Sequence, residues 1–93
     1  MNTKEIINKL LVENLRCEVI EISDETESHI GHSGYIPGVS SHFSVKVISY
    51  TFENKSKIER HKMIYGILKE LLTNNSIHAL KLQLYSPTEV TDY

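Results

Sequence analysis

Imidazole is concentrated in one stretch of this chain. Three of its five histidines, His29, His32 and His42, fall between Asp24 and Phe43, in "DETESHIGHSGYIPGVSSHF", among acids, glycines and serines. Neutral imidazole binds iron, zinc and copper. His29 and His32 are three apart with Gly31 between them, a spacing that can offer two imidazoles from a loop to one ion or to a cluster held elsewhere. They do not make a zinc motif, because a closed zinc site takes about four N or S ligands, often in CxxC or HxxxH pairs. A solvated polar loop is the competing reading. Cys17 is the only cysteine, which excludes an intrachain disulfide, a CxxC redox pair and a thiolate cage built by this chain.

His78 opens a segment, "IHALKLQLYS", in which His78, Leu80, Leu82 and Leu84 alternate with Ala79, Lys81, Gln83 and Tyr85. It therefore shares a face with three leucines, yet stands at the mouth of the strand, where core meets solvent. Two readings stay open for it, a metal ligand and an imidazole bonded to a backbone carbonyl. His42 alternates onto the open face of its strand, and His61 sits between Arg60 and Lys62 beside an apolar helical stripe; both read as structural. Enzyme chemistry finds little footing: there is no GxGxxG, GK[ST] P-loop or HExxH, and no nucleophile with a base and a third group to orient it.

The elements that must place these side chains are legible from periodicity. Asn2 and Glu5 resemble a capping box, followed by a helix with Ile6, Ile7, Leu10, Leu11 and Leu15 on one side. "RCEVIEIS" alternates as a strand whose buried face is ambiguous. Residues 24–41 then lose all periodicity and carry Gly31, Gly34, Pro37 and Gly38. Loops longer than about 12 residues in compact domains are uncommon and usually functional or mobile. "HFSVKVISYTF" is the best strand, with Phe43, Val45 and Val47 opposite Ser44 and Lys46, and is expected to pair antiparallel with the first. Ser56 can cap a helix through Leu72 that buries Ile64, Ile67, Leu68 and Leu71, with Gly66 opposite the stripe and a break into a short first piece and a longer second one. "TNNS" stops it before the third strand, and Pro87 can open a last turn.

This order, helix, two strands, one or two helices, strand, predicts an α+β domain with a three-stranded sheet and its helices on one face. The 93 residues make a single domain, 1–93, with a core of about 3–86 and a C-terminal tail of 87–93. Its composition, 40% hydrophobic and 24% charged, is that of an ordinary globular protein. No apolar run approaches the roughly 20 residues that span a bilayer, and the N-terminus lacks a basic, then apolar, leader. The expected location is cytoplasmic, with no membrane partner. A net charge of −2 does not describe an all-round nucleic-acid binder, but Lys55, Lys57, Arg60 and Lys62 form a local basic segment that keeps a phosphate-bearing partner open.

Four motifs in order, "DETESHIGHSG", "SSHFSVKVIS", "FENKSKIERHKMIY" and "IHALKLQLYSPTEV", resemble those of the BolA family, over about Ile6 to Val90. The resemblance implies a class II KH-like fold and a non-enzymatic partner of a monothiol glutaredoxin. It further implies a bridging 2Fe-2S cluster shared with glutaredoxin and glutathione, in iron-sulfur trafficking or iron regulation. In that scheme His78 is the C-terminal ligand, and the second comes from the loop, with His29 the nearest match by its distance from "DE" and His32 its rival. His61, in "RHK", matches a family signature and is a secondary candidate. Asn54 departs from the family, which usually has Gly there; Asn tolerates the left-handed backbone the turn would need. The alternative is a nucleic-acid-binding transcriptional regulator of the stress response, using the KH-like fold and Lys55, Lys57, Arg60 and Lys62 on DNA. A KH module clamps its ligand with a GxxG loop, which this chain lacks. An adaptor that binds glutaredoxin without iron is a third reading, and an apo homodimer stays open.

Overall fold

A computed structural model describes residues 1–25 and 42–90. Its order is α1 (Thr3–Asn14), β1 (Cys17–Asp24), β2 (His42–Ser49), a 3-10 turn (Tyr50–Phe52), α2 (Lys57–Ile67), α3 (Lys69–Thr73), β3 (Ala79–Tyr85) and a second 3-10 turn (Pro87–Glu89). The strands form one sheet in the order β1-β2-β3. β1 pairs antiparallel with β2, and β2 pairs parallel with β3. The expected α+β architecture and element order are those observed.

Local sequence explains each start and stop. Asn2 accepts the Glu5 N–H at the head of α1. At α2, Ser56 and Glu59 complete a reciprocal capping box, which satisfies two amides that the first turn would otherwise leave open. Asn54, in the turn before it, adopts φ 60°, the left-handed conformation expected of that position. The long helix does break, at Leu68, but the lengths are reversed from expectation: 11 residues come first and 5 follow. Gly66 has open space beside its Cα, so it leaves α2 intact, and the chain turns two residues later.

The helices lie on one face of the sheet. Ile7, Leu11 and Leu15 of α1 with its following turn, and Ile64, Leu68 and Leu71 of the α2–α3 pair, meet Phe43, Val45, Val47 and Leu84 in one core. Each fully buried aliphatic or aromatic side chain contributes about 1.5–3 kcal/mol. The ambiguity of β1 is resolved by a bulge between Cys17 and Val19. The extra residue, Glu18, flips the alternation, so Cys17 packs on the same core as Ile20 and Ile22. Burial pushes the Cys17 thiol up from its ordinary value. On the opposite face Lys81 and Gln83 are exposed and Ser44 and Lys46 half-buried, as expected. Ile48 is an exception, fully buried there, in register with Val19 on one side and Tyr85 on the other.

Candidate functional site

The mixed pairing decides what gathers at one end of the sheet. Because β3 runs parallel to β2, both strands start at the same edge, where antiparallel β1 finishes. The backbone there is closed by the Glu25 N–H, which donates to the His42 carbonyl at 2.7 Å. Glu25 and His42 are also the last described residues on either side of the segment carrying His29 and His32, which themselves lie outside the described residues.

His78 is delivered to that end by a turn with its own chemistry. Asn74 Oδ1 accepts the Ser76 N–H at 2.9 Å, and Asn75 takes φ 65°, an excursion that Asn supports better than most residues. Ile77, buried, anchors the turn by donating its N–H to the Leu71 carbonyl at 3.0 Å. β3 begins one residue later, so His78 is exposed rather than half in the core. The leucine face deepens along the strand, from half-buried Leu80 and Leu82 to buried Leu84.

His42 differs from expectation. It sits on the face that alternation gives but is buried there, 6% exposed. In register it stands opposite Ala79, and its ring packs against that of His78, with centroids 5.5 Å apart and planes at 59°. This pair was hidden in the sequence, because only the parallel β2–β3 register brings position 42 beside position 78. Among the described residues no group of three or more His, Cys, Asp or Glu is placed to hold an ion. His78, with His42 behind it, is an accessible imidazole that leaves most of a coordination sphere to other groups.

The basic segment separates. Lys57 and Lys62 are exposed and Lys55 half-buried, but Arg60 is buried and committed. Its Nη1 bonds the Glu89 carboxylate at 2.6 Å and the Leu84 carbonyl at 3.2 Å, and its Nε donates to the Lys55 carbonyl at 3.0 Å. Its guanidinium also lies 5.9 Å from the Phe52 ring centroid. Arg60 therefore leaves the set of surface cations. Glu89 additionally accepts from the Ser86 amide and hydroxyl. The Ser86 backbone bond, then Arg60 and the Ser86 hydroxyl, hold the Glu89 carboxyl down at about 2. His61 is half-buried and lines a groove between α2 and β3, away from any group of ligand residues among those described.

The fold and this end of the sheet define a class: a small α+β domain that presents one exposed imidazole at the sheet end where β1 finishes and β2 starts, with no group of three or more His, Cys, Asp or Glu placed together among the described residues. Comparison with known proteins makes the class specific. Residues 11–89 match the family model described as BolA-like protein. The chain is 39% identical over 89 residues to the DNA-binding transcriptional regulator BolA of Haemophilus influenzae, covering 96% of this chain and 82% of that one. It is 35% identical over 83 residues to the human BolA-like protein 1, covering 89% and 57%. Among solved structures, BolA1 from Arabidopsis thaliana superposes with a TM-score of 0.85 at 29% identity, covering 98% of both chains. The chain belongs to the BolA family, which is non-enzymatic. No helix among the described residues is long and apolar enough to cross a membrane.

Proposed function

We propose that this protein is a cytoplasmic partner of a monothiol glutaredoxin and supplies histidine ligands to a bridging 2Fe-2S cluster. The observation that carries the proposal is the exposed His78 imidazole at the sheet end where β1 finishes and β2 starts, the two strands that flank His29 and His32 in the sequence, backed by the ring of His42. The donor chemistry fits a shared group. This chain offers imidazole and no accessible thiol set, so thiolates must come from glutaredoxin Cys and glutathione. His78 provides one ligand and His29 or His32 the second. When bound, a cluster with imidazole on one iron is more easily reduced than an all-thiolate one. The residues of this chain orient the imidazole: Ile77 and the Asn74–Ser76 turn fix the backbone of His78, and His42 limits the directions its ring can take.

The test is anaerobic reconstitution with a monothiol glutaredoxin, glutathione, iron and sulfide, followed by visible absorption and circular dichroism. The expected outcome is a heterodimer whose spectrum differs from that of the glutaredoxin homodimer and reverts toward it in His78→Ala. A heterodimer whose spectrum ignores His78 would favour the adaptor without iron.

Regulation of transcription through DNA is the second reading, and the similarity to the DNA-binding transcriptional regulator of Haemophilus influenzae favours it. Its surface here is reduced to Lys55, Lys57 and Lys62. Phosphate-driven binding loses affinity steeply as salt rises. Lys55→Glu with Lys62→Glu is expected to weaken duplex DNA binding and flatten that dependence, measured by fluorescence anisotropy between low and physiological salt. Unchanged affinity in the double variant would remove this reading.

A further inference from the structure

The two edges of the sheet are finished differently. β1 carries the bulge at Glu18, and bulges and charges on an edge discourage another strand from adding to it. β3 pairs with β2 along all 7 of its residues, and no described strand lies on its outer side. That side faces the first turns of α2 across a groove of about 250 Å³ lined by Lys57, Arg60, His61 and the consecutive residues Leu82, Gln83, Leu84 and Tyr85. Successive strand side chains point to opposite faces, so a groove touching four in a row follows the backbone edge of the strand. The Arg60 bond to the Leu84 carbonyl shows which way that carbonyl points. The same two-residue period turns the N–H and C=O of Leu82 into the groove. Arg60 thus closes the C-terminal end of the edge and leaves the rest of it to solvent.

We propose that this groove takes an extended acidic segment of a partner protein as a fourth strand on β3, with Leu82 pairing to its backbone and Lys57 and Lys81 meeting its carboxylates. Strand addition beside a helix is a recurrent mode of peptide recognition. Charge selects the occupant. Lys57 on the helix wall and Lys81 on the strand are exposed, whereas the charge of Arg60 is already met by Glu89. A second copy of β3 would bring lysine toward lysine across the new pair, which is unfavourable. Nucleic acid fits less well, because phosphate only accepts hydrogen bonds, while a strand edge alternates donors and acceptors as a peptide backbone does. The surface lies on the half of β3 away from His78, and the inference is independent of the cluster reading.

The probes are a fluorescein-labelled peptide of alternating Val and Glu, its Val–Lys counterpart and a single-stranded oligonucleotide, each titrated into the isotope-labelled full chain. The Val–Glu peptide is expected to bind by anisotropy, to shift the Leu82 and Leu84 amide resonances and to slow hydrogen exchange at Leu82. Lys57→Glu with Lys81→Glu is expected to weaken it about tenfold with the wild-type melting transition retained. Four results would each overturn the proposal: no change at these amides, equal binding of the Val–Lys peptide, an oligonucleotide that shifts the same amides more readily, or shifts that follow protein concentration alone.

Discussion

Arg60 and Glu89 show how far a residue's type can mislead about its role. In sequence Arg60 is one of four bases in a basic segment; folded, it is a tether whose donors reach a carboxylate and two backbone carbonyls. Its acidic partner is 29 positions away, and no local pattern joins the two. The pair has a pH signature. The folded-state pKa of Glu89 is depressed below its unfolded value, so its contribution to stability is present above about pH 4.5 and is lost as pH falls through about 2. Glu89→Gln is expected to be less stable than wild type near neutrality and to lose less on acidification, so that the two chemical-denaturation midpoints converge across that window. Midpoints that stay parallel would show that the pair does not hold the C-terminal turn. His42 teaches the same lesson, since alternation gave its face correctly but not the ring that packs over it.

At the scale of elements, most of the chain was readable because its periods are strong and its caps are specific. The Ser56 box begins α2 where the spacing predicts, and the apolar stripes of both long helices are the ones that reach the core. Two features resisted. An extra residue at Glu18 breaks the alternation of β1, and a bulge leaves no mark in side-chain type. The helical break falls at Leu68, with apolar periodicity running straight through it. Asn54 carries a prediction of its own. At φ 60°, Asn54→Gly is expected to be close to neutral, while Asn54→Val places a β-branched side chain in left-handed backbone and should cost about 1–2 kcal/mol, read from urea unfolding. Equal stability of the Val variant would mean that the turn relaxes into another conformation.

The whole molecule turns on one choice of direction, the parallel return of β3 to β2. Side-chain patterns report which residues share a face but not strand order or polarity, so the candidate site was legible as a set of histidines and not as a place. His29 and His32 lie outside the described residues, and their part in the proposed site rests on the family resemblance. The return of β3 also has a consequence in time. β1 and β2 are consecutive elements, but β3 reaches β2 only across the segment that holds both helices, and such non-local pairing is the slow part of folding. His78 meets His42 only at that final step. A chain still emerging from the ribosome, or stalled with β3 undocked, lacks the paired imidazoles, so the packing of His78 on His42 doubles as a report that β3 has docked.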